Sequence, residues 1–248
     1  MAIRLALLSI CYATLSTLVG CQQPSMISAL PAPNFDAPRI AARVGQAQAR
    51  VAAMLLLTLR GTPTLYQGDE IGIGEVVIPP DRVRDPQDLR QPGLGIGRDR
   101  SRTPIPWDAS AYAGFSTVDP WLPLNEDWRV RNVAAQVRDP RSLLSLYRSL
   151  LALRRSHDAL AIGDFTLIDS ADDVLAYVRR HAGECLLIAL NLSDQTRPLS
   201  LPIDTRVAEV LASTLLTSTL RLSNLTPRPM DEPLAPNEGL VLQLKEKC

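Results

Sequence analysis

Two stretches of the chain repeat hydrophobic residues every three or four positions, the spacing of an amphipathic helix. The first covers residues 43–60 and is followed by Gly-Thr-Pro, a sequence that ends helices. The second runs from about Pro140 to Ser156, and Asp139 with Pro140 is its predicted cap and first turn. We therefore expect two long helices, each with one buried face.

After His157 the hydrophobic pattern changes to a period of two, which is typical of half-buried strands. Asp, Gly and Ser separate short apolar runs, which lie at 165–168, 174–178, 185–190, 206–211 and 239–244. Several short strands with regular turn signals predict an antiparallel β-sandwich over residues 159–248. A shorter run at 64–66 predicts one more buried strand, directly after the first helix.

Residues 73–127 are rich in Pro, Gly and Arg. Their hydrophobic residues follow neither the three- to four-residue spacing of a helix nor the alternation of a strand. They predict a loop of unusual length, and such loops are normally functional or disordered.

The N terminus combines Arg4 with an apolar run that ends in Leu-Val-Gly-Cys at Cys21. This sequence resembles a bacterial lipoprotein signal, so we predict a signal peptide over 1–21, lipidation of Cys21 and a linker over 22–33. The run is short for a membrane span, which needs about 20 residues. A real signal would anchor the protein to a membrane or place it in the periplasm. The alternative is an apolar stretch joined by rearrangement or a misplaced start site, which leaves the protein cytoplasmic.

The charge balance and the spacing of His and Cys residues argue against two classes of function, nucleic-acid binding and metal binding. Lys plus Arg and Asp plus Glu number 26 each, so no basic excess is present to bind nucleic acid. The two histidines and four cysteines lack metal-ligand spacing, which predicts no metal site and no disulfide framework. We expect no cofactor, and membrane contact only through a lipidated Cys21.

Four ordered motifs resemble the α-glucosidases of glycoside hydrolase family 13. Segment 34–43 is similar to the end of the seventh barrel strand, where Asn-His-Asp precedes Pro-Arg. Segment 61–72 resembles the eighth strand and its exit loop, and 97–108 resembles the Arg-Thr-Pro-Met-Pro-Trp loop of oligo-1,6-glucosidases. Segments 113–116 and 121–124 continue in the same order.

The resemblance covers roughly residues 32–248 and implies an α/β fold followed by an all-β domain. Residues 34–158 would be the C-terminal portion of a (β/α)8 barrel, with its last two strands and helices and the long loop 73–127. Residues 159–248 would be the β-sandwich C-terminal domain.

The resemblance also implies retaining hydrolysis of terminal α-linked glucose. Such enzymes hold a nucleophile and an acid/base about 5–5.5 Å apart. In this family both carboxylates follow the fourth and fifth barrel strands, upstream of every motif found here. We therefore expect the chain to be inactive alone, and to bind α-glucoside oligosaccharides only if the parent fold is completed.

Three residues match site positions of the family. Asp36 matches a third carboxylate, which stabilises the transition state, and Phe35 occupies the place of a sugar-binding histidine. Arg98 matches an arginine beside the sugar pocket. The alternatives are a helix-capping role for Asp36 and pairing of Arg98 with Asp85 or Asp99.

Other candidate groups are weaker. Asp69 and Glu70 are adjacent, and neighbouring residues on a strand point to opposite faces, so they make a poor catalytic pair. Trp107, Trp121 and Trp128 are able to stack on sugar rings, but loop tryptophans more often pack on their own domain.

Two other functions remain open. One is a non-catalytic secreted or lipid-anchored β-sandwich that binds glucan or a protein partner, and the other is a truncated gene product without a function. Soluble expression with a cooperatively folded core would favour the binding protein. The sequence does not indicate an oligomeric state.

Overall fold

The computed structural model describes residues 38–199, 207–215 and 233–245. The helices are α1 (Ile40–Thr58), α2 (Pro86–Arg90), α3 (Val133–Arg138), α4 (Leu143–Ser156) and α5 (Asp158–Ala161). The strands are β1 (Asp164–Ile168), β2 (Val174–His181), β3 (Glu184–Asn191), β4 (Val207–Ser213) and β5 (Gly239–Leu244).

Helix α1 confirms the first predicted helix and begins three residues before the predicted start. It is interrupted at Gly45, whose φ of 78° lies in the left-handed region that favours glycine. The interruption shifts the phase of the buried face, so Ala47 is exposed and Gln48 is buried. Met54 and Leu57 further along are fully buried.

Helix α4 confirms the second predicted helix, but its predicted cap is wrong. The helix begins after Ser142, whose hydroxyl accepts a hydrogen bond from the Ser145 backbone N–H at 3.1 Å. Asp139 instead ends α3 and accepts the Arg141 N–H at 2.8 Å. Ser142 provides the cap because the chain between these two positions forms the turn that joins α3 to α4.

The C-terminal strands form one antiparallel sheet in the order β1-β2-β3-β5-β4 among the described residues. This confirms that the C-terminal region is antiparallel and β-rich, with all five strands at the predicted positions. The described residues contain one sheet, so the second sheet of the predicted β-sandwich stays a prediction. Alternate residues of β3 face opposite sides: Leu186 and Ile188 join a core with α1 and α4, whereas Leu187 and Ala189 join a second core. The two helices therefore cover one face of the sheet.

The predicted strand at 64–66 is wrong. No strand is assigned there, and Thr64 and Leu65 are exposed. An isolated strand has no ladder to satisfy its backbone groups, and the described part of the chain places no strand beside it.

The predicted long loop is confirmed, with short helical pieces inside it. Besides α2, the segment contains 3₁₀ turns at Pro80–Arg82, Asp99–Ser101 and Ala111–Gly114. Side chains hold it in place, and Asp99, Ser101 and Thr103 are buried.

Two further findings concern the membrane and the cysteines. Among the described helices, none is both long and apolar enough to cross a membrane. Cys185 is disulfide-bonded, a bond that the spacing of the cysteines did not predict.

Candidate functional site

Three of the predicted site residues, Phe35, Asp36 and Cys21, lie outside the described residues, and their roles stay predictions. The described chain begins at Pro38, directly before Arg39 at the start of α1. Arg39 belongs to the first motif and is 1% exposed, although it carries a guanidinium group. A buried arginine needs hydrogen-bond acceptors, and these show what the site is built from.

The guanidinium of Arg39 binds two other motifs. Its Nε donates to the Gln67 carbonyl at 2.8 Å, within the second motif. Its Nη1 donates to Thr103 Oγ1 at 2.7 Å and to the Arg100 carbonyl at 3.4 Å, and its Nη2 donates to the Thr103 carbonyl at 3.2 Å. One side chain therefore joins segments 34–43, 61–72 and 97–108, which are distant in sequence.

Close packing of the second motif against Arg39 requires glycine at position 68. The φ of Gly68 is 90°, and a Cβ there would lie 2.7 Å from Arg39 Nε. Both the backbone conformation and the available space exclude a larger residue.

Asp69 and Glu70 have separate structural tasks. Asp69 is buried, and its Oδ1 accepts the Ile40 N–H at 2.9 Å, so it satisfies the first turn of α1. Glu70 Oε2 accepts the Gly68 N–H at 2.8 Å within its own turn. The two carboxylates lie in a turn rather than a strand and bind different groups.

Burial raises the pKa of Asp69 to about 6, although the Ile40 N–H and the charge of Arg39 act in the opposite direction. The desolvation of the carboxylate outweighs both favourable contacts. Because the folded-state pKa lies above the unfolded value of about 4, the folded protein binds this proton more tightly. Protonation of Asp69 therefore stabilises the fold, and the stabilisation is lost as the pH rises from about 4 to about 6.

Replacing Asp69 with asparagine should remove this pH dependence, since the amide oxygen still accepts the Ile40 N–H and carries no charge. We expect the stability of Asp69→Asn relative to wild type to rise by about 2–3 kcal/mol between pH 4 and pH 7. Urea unfolding at several pH values measures it. The matched control is Asp119→Asn, because Asp119 is an exposed carboxylate paired with Arg82. A pH-independent difference for Asp69→Asn would contradict the assignment.

Arg98 lies on a loop whose carboxylates already have partners. Its backbone N–H donates to Asp85 Oδ2 at 3.1 Å, and Asp99 Oδ2 accepts the N–H groups of Arg84 and Asp85 at 2.6 and 2.8 Å. The Gln87 N–H is the main cause that lowers the pKa of Asp85, with smaller contributions from Arg98 and Arg102. The Arg98 side chain is half-buried, and its contact with a sugar stays a prediction.

Within residues 38–199, 207–215 and 233–245, no group of three or more His, Cys, Asp or Glu residues is placed to hold a metal ion.

Comparison with known proteins identifies the family. The sequence profile of the α-amylase catalytic domain matches residues 3–163, more than half of the 248 residues. This chain belongs to the α-amylase family, glycoside hydrolase family 13. A profile described as a domain of unknown function, DUF3459, matches residues 163–241 and covers the sheet of this α-amylase-family chain.

Several relatives are glucosidases by name. The glucan 1,6-alpha-glucosidase of Streptococcus pneumoniae is 35% identical in an alignment of 201 positions that covers 72% of this chain and 37% of that protein. The oligo-1,6-glucosidase of Parageobacillus thermoglucosidasius is 34% identical in an alignment of 194 positions that covers 68% of this chain and 34% of the relative. The trehalulose synthase MutB of Pseudomonas mesoacidophila MX-45 superposes with a TM-score of 0.74 at 30% identity, covering 86% of this chain and 42% of that one.

The chain therefore spans less than half the length of these α-amylase-family relatives. The catalytic-domain match starts at residue 3 and includes the segment predicted as a signal peptide. The family resemblance thus extends further toward the N terminus than the four motifs indicated. The signal peptide and the lipidation of Cys21 stay predictions.

The roles of Arg39 and Asp69 were missed by the sequence-based reasoning, although both residues lie inside the family motifs. The sequence does show that an arginine directly follows the Asp36-Ala-Pro segment and that the second motif, 61–72, contains a carboxylate. Neither position reveals its partners, since Arg39 binds residues 28 to 64 positions away.

Proposed function

We propose that this chain forms one part of an α-glucosidase site that removes terminal α-linked glucose from oligosaccharides with retention. The observation that carries the proposal is the Arg39 side chain, which holds the first three α-glucosidase motifs together. The Arg39 contacts and the bond from the Ile40 N–H to Asp69 fix the start of α1, four residues after Asp36, beside the loop that carries Arg98.

In this proposal Asp36 stabilises the transition state. A third carboxylate accelerates hydrolysis only if it binds the distorted sugar ring more tightly than the ground state. Arg98 donates hydrogen bonds to a neighbouring sugar unit. Phe35 has no donor to offer, so the sugar hydroxyl facing it loses a bond whose net worth is about 0.5–1.5 kcal/mol.

The nucleophile and the acid/base have no counterpart in the matched motifs. We propose that barrel strands outside these 248 residues supply them, from the same polypeptide or from another. The 248 residues alone then contribute binding and transition-state stabilisation, but they do not cleave the glycosidic bond, because retention requires both carboxyl groups about 5–5.5 Å apart.

The test is release of p-nitrophenol from p-nitrophenyl α-glucoside by the purified 248-residue chain. We expect no release above the uncatalysed rate, and release after mixing with a polypeptide that carries the first six barrel strands of a family relative. Asp36→Asn should abolish that restored activity, whereas Asp119→Asn, in an exposed ion pair, should preserve it. Turnover by the chain alone that disappears in Asp36→Asn would sink the proposed division of the site.

A further inference from the structure

The disulfide bond of Cys185 lies outside the candidate site. Cys185 is on β3 and is 2% exposed, and none of the family motif segments contains a cysteine. It is the one cysteine within the described ranges, so its partner is Cys11, Cys21 or Cys248. The identity of the partner decides which parts of the chain the bond holds together.

The Cys185 side chain faces away from the two long helices. Along β3, Leu186 joins the core that contains α1 and α4, whereas Cys185 and Leu187 join the second core on the opposite face. A partner must therefore reach the face of the sheet that the helices do not cover.

The N-terminal cysteines enter the structure far from this position. The Arg179 guanidinium donates to the Thr58 carbonyl at the end of α1, and Arg180, the next residue of β2, pairs with Cys185. Cys185 thus lies near the C-terminal end of α1, whereas both N-terminal cysteines connect through Pro38 to its start. The helix has 19 residues and is about 28 Å long. Both its length and its face separate these cysteines from Cys185.

Strand β5 leads directly toward Cys185 on the correct face. Leu186 pairs with Gln243 in antiparallel register, so the next step places Leu244 beside Cys185, at about the 5 Å spacing of neighbouring strands. Leu244 also packs against the second core. Cys248 follows four residues later, a span of at most about 14 Å. A turn between them brings Cys248 within the Cα separation of about 4.4–6.8 Å that a disulfide requires.

We propose that Cys185 is bonded to Cys248, and that this bond forms in an oxidising compartment outside the cytoplasm. The two thiols give two electrons and two protons to the disulfide of an oxidant, which becomes a dithiol. Thiol reductants keep such pairs reduced in the cytosol, so the bond requires export of the chain. Cys21 then keeps its thiol, which the predicted lipidation needs.

The bond fastens the strand that holds the edge of the sheet. Strand β5 lies between β3 and β4, and the β4–β5 pairing has two register shifts, at Val207/Glu209 and Val210/Ala212. Within the described ranges β4 joins the sheet only through β5. A link from the end of β5 to the start of β3 therefore restrains both strands, and it also closes a long loop in the unfolded chain.

Peptide mapping of the exported 248-residue chain tests the partner. After digestion with trypsin without reductant, we expect the peptide that contains Cys185 to be linked to the peptide that contains Cys248. N-ethylmaleimide added at lysis and followed by denaturation should leave Cys185 unlabelled in this protein. The same treatment should label Cys185 in chain made in the reducing cytoplasm of a bacterial host.

Thermal unfolding of the exported protein tests the effect on the sheet. Cys248→Ser should lower the Tm by about 5 °C or more, because it removes the link. The matched control is Cys11→Ser, which should leave the Tm and the linked peptides unchanged.

Three results would overturn the proposal. A peptide link from Cys185 to Cys11 or Cys21 would refute the partner, as would a labelled Cys185 in the exported chain. A complete bond in the chain from the reducing cytoplasm would refute the compartment. Equal Tm values for Cys248→Ser and Cys11→Ser would refute the fastening of β5.

Discussion

Replacing Arg39 with alanine is expected to lower the free energy of unfolding by about 4 kcal/mol. The change removes four hydrogen bonds and leaves the carbonyls of Gln67, Arg100 and Thr103 facing a cavity. Unpaired buried carbonyls cost more than the bonds themselves contribute. Alanine also removes the desolvation cost that the guanidinium pays on folding, and this offsets only part of the loss.

Urea unfolding monitored by tryptophan fluorescence measures the effect. Arg148→Ala, an exposed arginine on α4, should change the stability by less than about 0.5 kcal/mol. Arg39→Lys keeps the positive charge but loses the planar guanidinium with its several donors. Its stability should therefore lie between those of Arg39→Ala and Arg148→Ala.

A local measurement separates this role of Arg39 from general packing. Arg39 holds the segment that contains Arg98, Arg100 and Arg102, and trypsin cleaves after each of these residues once the segment opens. Limited trypsin digestion under native conditions should therefore cut this segment faster in Arg39→Ala than in Arg148→Ala. A stability loss below about 1 kcal/mol together with unchanged cleavage would contradict the proposed junction.

The hydrophobic pattern predicted those elements whose stability comes from local burial. The alternation in β3 places Ile188 against the helices and Leu187 against the second core, as a period of two requires. The same reasoning failed at 64–66, because a strand also requires a neighbour for its backbone. It failed at the start of α4 for a different reason: Asp139 and Ser142 are both capping residues, and only the path of the connecting turn decides between them.

The sequence indicated which segments belong to the candidate site, but not which side chains within them contact one another. The resemblance predicts that Arg98 and Asp36 belong to one site, which stays a prediction, while the contacts of Arg39 join the segments 34–43 and 97–108. Sequence patterns treat arginine as a surface residue, whereas Arg39 and Arg179 are buried. Except for Thr103 Oγ1, their acceptors are backbone carbonyls, which every residue type carries and which the sequence therefore does not reveal.

Arg179 is a second buried arginine, and it joins the helices to the sheet as Arg39 joins the family motifs. It is 0% exposed, and its Nη1 donates to the Thr58 carbonyl at 2.5 Å, at the end of α1. Its Nη2 and Nε donate to the carbonyls of Gly163 and Asp164 at 3.0 and 3.3 Å, where the chain enters β1. Burial lowers the pKa of Arg179 to about 10, so the guanidinium remains charged at neutral pH.

Arg179→Met should therefore destabilise the fold by about 3 kcal/mol. Methionine fills most of the volume and removes the desolvation of a charge, but it leaves three carbonyls without their donor. The matched control is Arg180→Met on the same strand, because Arg180 is half-exposed and donates only to Thr166 Oγ1 among the bonds found, at 2.9 Å. Urea unfolding of both variants decides the matter. Equal stability of Arg179→Met and Arg180→Met would mean that relief of desolvation balances the three lost bonds, and that the boundary is held by apolar packing alone.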